Sequence, residues 1–138
     1  MRRFRFLNHT GDLAMEVYGE GLIDLFENAG QALFHVITDP SEVEEKVAKE
    51  IGLRYDDLET LMVDWLGELI YLHDTEGLLF RRFEVRNVSD GLFEAKAWGE
   101  AFQEQRHEIR TEVKAVTFHQ LEVKQQDGGW RARVILDL

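Results

Sequence analysis

Two hydrophobic rhythms take turns along the chain, and the order in which they do so predicts its architecture. Residues 3–7, Arg3-Phe4-Arg5-Phe6-Leu7, alternate charged and apolar side chains with the two-residue period of a strand that buries one face. A second such run covers 13–18 and closes on Gly19-Glu20-Gly21. Between them lies the polar cluster Asn8-His9-Thr10-Gly11-Asp12, which reads as a loop or bulge. The period then becomes helical: Leu22, Leu25, Phe26, Ala29, Leu33, Val36 and Ile37 form one stripe, with His35 beside it. Asp39-Pro40 ends this helix, because the residue before a proline leaves the α region. Residues 41–53 are mixed: the spacing of Val43, Val47 and Ile51 suits a helix, while an edge strand ending at Ile51-Gly52-Leu53 fits equally well and is the preferred reading of the second half. A second helix follows, with Asp56 as its cap and Glu59 as the capping-box partner. Leu58, Leu61, Met62, Trp65, Leu66, Leu69, Ile70 and Leu72 give it a wide apolar face, and Asp74-Thr75-Glu76-Gly77 stops it.

The remainder reads as β structure. A strand over 78–88 turns at Ser89-Asp90-Gly91 into a return strand over 92–102, in which Gly99 marks a bulge. Residues 103–110 form a polar connection containing His107. In 113–123 the odd positions Val113, Ala115, Thr117, His119, Leu121 and Val123 are expected on one face. Asp127-Gly128-Gly129 signals a hairpin, and 130–136 closes the sheet. The order β-β-α-β-α-β-β-β-β predicts a single α+β domain across 1–138, with a largely antiparallel or mixed sheet and two main helices.

Charge and chemistry narrow the function classes. With 44% hydrophobic residues over 138 positions, the chain is able to build a core and is not disordered. It has no cysteine, which removes disulfides, thiol nucleophiles and thiolate metal sites and suits a reducing, cytoplasmic setting. No apolar run approaches the ~18 residues of a membrane span, and no apolar stretch follows Arg2-Arg3 to make a signal peptide. Asp and Glu number 27 against 16 Lys and Arg, a net charge of −11. Such a surface repels phosphate backbones, so little independent nucleic-acid binding is expected; a cation or a partner with a basic surface suits it better. His9, His35, His73, His107 and His119 lack zinc-site spacing, and neither a phosphate-binding loop nor a serine elbow is present. In the cluster at 8–12, Gly11 permits positive φ, His9 is titratable and Asp12 offers hard oxygen ligands. Taken by themselves, these residues are read more simply as a local turn. Asp137 is an isolated carboxylate and Lys114 a surface lysine on a strand.

A series of blocks, in order, changes that picture. His9-Thr10-Gly11-Asp12 is similar to a His-Thr-Ala-Asp block; Leu25-Phe26-Glu27-Asn28-Ala29 and Trp65-Leu66-Gly67-Glu68-Leu69 follow on the two helices. Gly99-Glu100, His107, Val113-Lys114-Ala115-Val116-Thr117-Phe118-His119 and Asp137 complete the series. Along its whole length the chain resembles the archease family, small acidic accessory proteins of the RNA ligase that joins 2′,3′-cyclic-phosphate or 3′-phosphate ends to 5′-hydroxyl ends. It departs from the family pattern at Gly11, Gly67 and Phe118, where alanine, asparagine and tyrosine are usual. The resemblance implies a non-enzymatic activator that promotes GTP-dependent guanylylation and multiple turnover of that RNA-splicing ligase in tRNA splicing and RNA repair. GTP and tRNA halves would then be met only through the ligase. It also implies a divalent-cation site on Asp12 and Asp137 with an oxygen of Leu138, calcium being the expected ion and magnesium or manganese the alternatives. His9, Glu100, Lys114 and His119 become candidate partner or nucleotide contacts. A hard cation accepting roughly six to eight oxygens would relieve the repulsion of paired carboxylates. The competing readings are a metal-dependent hydrolase or phosphatase acting on RNA ends, and a chaperone-like interaction module.

Overall fold

A computed structural model of the protein describes residues 3–9 and 11–138, the His9 side chain excepted. Strands β1 (Phe4–His9) and β2 (Asp12–Gly19) precede helix α1 (Leu22–Ile37) and a single 3-10 turn at Pro40–Glu42. Strand β3 (Val47–Arg54) leads into helix α2 (Leu58–Glu76), and β4 (Leu78–Ser89), β5 (Leu92–Ala101), β6 (Ala115–Gln126) and β7 (Gly129–Asp137) follow. The predicted element order and the α+β class are both present. The strands divide between two antiparallel sheets, ordered β1-β2-β7-β6 and β3-β5-β4.

Helix α1 lies against β2 and β4, one strand from each sheet, and so ties the sheets together. Its buried stripe is accordingly wider than the sequence pattern suggests, taking in Ala32 and Phe34. Helix α2 packs mainly on β6 and lies beside α1. Its Trp65 is fully buried between Phe83 and Phe93, and its Nε1–H donates to the Phe26 carbonyl at 2.9 Å. That bond satisfies the one polar group a buried tryptophan carries. The cap of α2 is Asp57 rather than Asp56: Asp57 keeps an extended backbone and accepts the Thr60 N–H at 2.7 Å. At the other end Gly77, at φ 68°, takes the left-handed position that closes a helix. Glu27 of α1 reaches the outer edge of β4 and accepts the Val85 N–H at 2.9 Å, and burial raises the pKa of its carboxyl. The bond occupies one amide of this edge strand that would otherwise be open to a second chain.

The first hairpin is tighter than the sequence suggests. His9 pairs with Asp12, so Asn8, His9 and Asp12 belong to the ladder and are not loop residues. Gly11 sits at φ 76°, the conformation a short connection demands and the one glycine adopts without strain. Thr10, part of the expected loop, lies outside the described residues.

Strand β6 also differs from its expected pattern. It begins at Ala115, so Val113 and Lys114 precede it. Thr117 pairs with Ile135, but the next matched pair is Glu122 with Arg133. The extra β6 residues reverse its parity, so the even positions 122, 124 and 126 continue the face begun by Ala115 and Thr117. An inserted bulge resets the alternation on which a period-two reading depends.

Candidate functional site

The pairing of β2 with β7 places the two ends of the domain side by side. Asp12 and Asp137 are direct cross-strand partners. Residues so paired project from the same face, with Cβ atoms about 5 Å apart. The row continues outward on both sides, His9 opposite Asp12 on β1 and Ala115 opposite Asp137 on β6. It lies on the face turned away from the helices, because the alternate positions Met15, Val17, Ala132, Val134 and Leu136 fill the core. Asp12 is half-buried and Asp137 exposed. Lys114 joins the row through its backbone, its N–H donating to the Asp137 carbonyl at 2.8 Å, while the residue itself is exposed. Leu138 follows Asp137 and packs partly against the core.

Two of the candidates lie outside this row. His119 stands in the β6 bulge, its N–H donating to Thr117 Oγ1 at 3.3 Å. Glu100 belongs to β5 of the other sheet and is 2% exposed. Its carboxylate accepts from the Glu44 N–H at 2.7 Å, from both Nη atoms of Arg106, and from His107 Nε2 at 3.0 Å. The His107 tautomer follows, because the Gln103 N–H donates to Nδ1 at 2.8 Å and so leaves the ring proton on Nε2. Burial pushes the Glu100 pKa up, but the Glu44 N–H and the His107 bond outweigh it and hold the carboxyl below its ordinary range. A carboxylate enclosed in this way anchors the 103–114 connection, which delivers Lys114 to Asp137; as placed, it is not a surface contact. The His9 side chain lies outside the described residues.

The divalent cation implied by the family resemblance can be tested against these donors. Among the described residues, no group of three or more His, Asp and Glu side chains is arranged to hold a metal. Two adjacent carboxylates, with main-chain oxygens and water to complete the shell, are a set that suits a hard cation and not zinc. On that basis the residues fit, with Asp12 and Asp137 as the charged ligands.

Sequence reasoning missed the ionic cluster further along the same face. Glu16, 4% exposed, accepts from Arg5, from Tyr18 Oη at 3.1 Å and from Arg131 Nη2 at 2.6 Å. Arg131 bridges on to Glu122 at 3.2 Å, which also draws in Lys124 at 3.3 Å and Arg133 at 3.8 Å. The available signal was a glutamate inside the apolar run Leu13-Ala14-Met15-Glu16-Val17. Burial pushes the Glu16 pKa up, but the bonds from Arg131, Arg5 and Tyr18 prevail and bring it to about 2. Stability drawn from a carboxylate depressed in this way is complete above its ordinary value near 4.5 and is lost as pH falls toward about 2. Glu16→Gln should therefore cost about 3 kcal/mol at neutral pH, since it leaves the largely enclosed Arg131 without its counter-charge. Urea unfolding at a series of pH values should show the gap between the two proteins narrowing between about pH 4.5 and 2. A gap independent of pH would contradict this account.

Residues 4–138 match the archease protein family (MTH1598/TM1083). The protein archease of Methanothermobacter thermautotrophicus is 45% identical over 100% of both chains. That of Methanosarcina mazei is 39% identical, covering 99% of this chain and 97% of the relative. The solution structure of Methanobacterium thermoautotrophicum protein 1598 superposes with a TM-score of 0.88 at 43% identity, over 100% of each chain. A crystal structure from Thermotoga maritima, described as an archease and possible chaperone, shares the fold, with a TM-score of 0.67 at 21% identity over 100% of this chain and 98% of that one. Full-length identity at this level, on a matching two-sheet frame, leaves one conclusion: the chain belongs to the archease family.

Proposed function

We propose that this protein is a non-enzymatic activator of a 3′-phosphate/5′-hydroxyl RNA ligase, and that it acts through a divalent-cation site on Asp12 and Asp137. The observation that carries the reading is the register of β2 and β7, which sets those two carboxylates directly opposite each other on the open face. A calcium-class cation held there, with magnesium or manganese as substitutes, supplies positive charge at an otherwise acidic edge. Lys114, bonded through its backbone to Asp137, offers a second cationic group beside it for a phosphate or an acidic group of the ligase. The activator promotes guanylylation of the ligase histidine by GTP and so sustains multiple turnover in tRNA splicing and RNA repair. Its net charge of −11 favours contact with the ligase over direct contact with RNA. No helix of the described residues is long and apolar enough to cross a membrane, and the reading places the protein in the cytoplasm with its ligase.

The test compares ligation of a 2′,3′-cyclic-phosphate RNA by the ligase alone and with this protein. Under single turnover the two should differ little; with RNA in excess the activator should raise product well beyond one equivalent of ligase. Product capped at one equivalent in both cases would reject the reading. The chaperone-like alternative draws on the description of the Thermotoga maritima relative. It predicts stimulation that survives both chelation and loss of Asp12.

A further inference from the structure

Each sheet leaves two edge strands, β1 and β6 on the larger and β3 and β4 on the smaller. Strands β3, β4 and β6 carry devices that discourage a further strand. Strand β4 bulges twice and gives its Val85 amide to Glu27. Strand β6 is broken by the bulge between Thr117 and Glu122. Strand β3 carries the charged Lys49, Glu50 and Arg54, and Lys49 is tied to Glu76 of α2 at 2.7 Å. Strand β1, by contrast, runs in unbroken register from Phe4 to His9 and contains no proline. Its hydrogen-bonding pattern is fixed by the Tyr18 N–H, which donates to the Arg3 carbonyl at 2.9 Å. In an antiparallel ladder such pairs alternate with pairs that do not bond. Arg5 and Leu7 therefore bond to β2, while Phe4, Phe6 and Asn8 turn their N–H and C=O groups to the free edge. Arg5 and Leu7 share the open face. Phe4 and Phe6 lie on the helix side, the Phe4 ring 5.5 Å from that of Phe6 and 5.1 Å from that of His35 on α1. Phe6 is 38% and Leu7 42% exposed, so the edge is apolar on both faces.

The same edge ends a row of alternating charge. Glu122, Arg133, Glu16 and Arg5 are matched in register across β6, β7, β2 and β1. On this face Arg5, Arg131, Arg133 and Lys124 share the two carboxylates of Glu16 and Glu122, so cations are in excess. We propose that β1 is a docking edge, to which an extended segment of the ligase adds as a further antiparallel strand, with a carboxylate opposite Arg5 and an apolar side chain opposite Leu7. This deepens the activator reading and rests on it. The outward amides and carbonyls of Phe4, Phe6 and Asn8 supply the main-chain bonds of strand addition. In the extended ladder Arg5 and Leu7 occupy the non-bonded positions, where cross-strand side chains approach most closely, so they select the segment. A carboxylate opposite Arg5 continues the alternation, whereas a Lys or Arg there is repelled. A second copy of this chain is a poor occupant, because each copy carries a net charge of −11. Because β1 ends at His9, opposite Asp12, the docked segment brings the ligase to the cation row without using its carboxylates.

The test reads amide hydrogen exchange and affinity together, on the full-length protein with the ligase. Saturating ligase should slow exchange at Phe4, Phe6 and Asn8 on the order of tenfold or more, while Arg5 and Leu7, already bonded to β2, change less. Phe6→Pro removes the central outward amide, at a position where an edge strand accepts proline. It should raise the Kd for surface-tethered ligase at least about tenfold. Phe6→Thr keeps the amide and should stay within about threefold, and Arg5→Gln should raise Kd about fivefold. Each variant is first shown to be folded by circular dichroism, and its calcium titration should match the wild type. Unchanged exchange at the three outward amides, in a wild type that binds and stimulates the ligase, overturns the docking inference and leaves the activator reading in place. That result stands even where Phe6→Pro fails to fold. Equal losses of affinity in Phe6→Pro and Phe6→Thr would assign the effect to the ring and likewise overturn it. A wild type that neither binds nor stimulates the ligase overturns both. Concentration-dependent protection of the same amides without ligase, together with a dimer mass by light scattering, would make β1 a self-association edge and overturn the ligase as its occupant.

Discussion

Without added cation, Asp137→Asn should melt at a slightly higher temperature than the wild type, and the rise that calcium gives the wild type should be largely absent from the variant. Like charges placed directly opposite on adjacent strands oppose pairing by roughly 0.2–1 kcal/mol, and the register imposes that arrangement on Asp12 and Asp137. Asparagine keeps the shape and removes the repulsion. A cation bound only by the folded chain reverses the sign of the pair's contribution: at one hundred times its Kd it stabilises by about 2.7 kcal/mol. Taking away one of two charged ligands should weaken the cation on the order of tenfold or more, because charge count sets the affinity of such sites. Differential scanning calorimetry with chelator, then with millimolar calcium, reads both effects. The functional counterpart is the ligation assay, in which Asp12→Asn and Asp137→Asn should each abolish multiple turnover while the far-ultraviolet circular dichroism stays unchanged. Equal calcium-induced shifts in wild type and variant would remove the cation from these two residues.

Gly99→Ala should be the most damaging single substitution in the fold. A Cβ built on Gly99 would lie 1.8 Å from the Leu79 carbonyl oxygen, 2.7 Å from its carbon and 2.8 Å from Phe80 Cα. All three are backbone atoms of β4, so no rotamer change relieves the overlap. Relief would require the edge strand β4 to separate from the central strand β5 where β4 already bulges between Phe80 and Arg82. We expect a loss of at least about 3 kcal/mol, or no soluble protein, at the upper end of overpacking effects. The neighbouring Glu100 cluster would be disturbed with it. Gly67→Ala is the matched control, because the space at Gly67 of α2 is open for 4 Å. Alanine in a helix interior gains roughly 0.5–1 kcal/mol over glycine. Urea unfolding of the pair should therefore show opposite signs.

Local periodicity and end signals were enough to place nearly every element, since they act within a few residues along the chain. The stripe from Leu22 to Ile37, the stop at Asp39-Pro40 and the Asp-Gly turns at 90–91 and 127–128 need no tertiary information. Where neighbours compete, the sequence is less decisive. Asp56 and Asp57 are chemically equivalent caps until the helix start selects Asp57, and β6 alternates as expected only as far as its bulge. Family resemblance named Asp12 and Asp137 as a pair, but their 125-residue separation gives residue spacing no means of bringing them together. That meeting is decided by the pairing of β2 with β7, neighbours in the four-stranded sheet although they lie near opposite ends of the chain. The same applies to Glu100 and Glu16. Each is an ordinary glutamate in the sequence, and only tertiary folding encloses it, Glu16 between Arg5 and Arg131 and Glu100 among the Glu44 N–H, Arg106 and His107, because burial is a property of the packed layers and not of any local pattern.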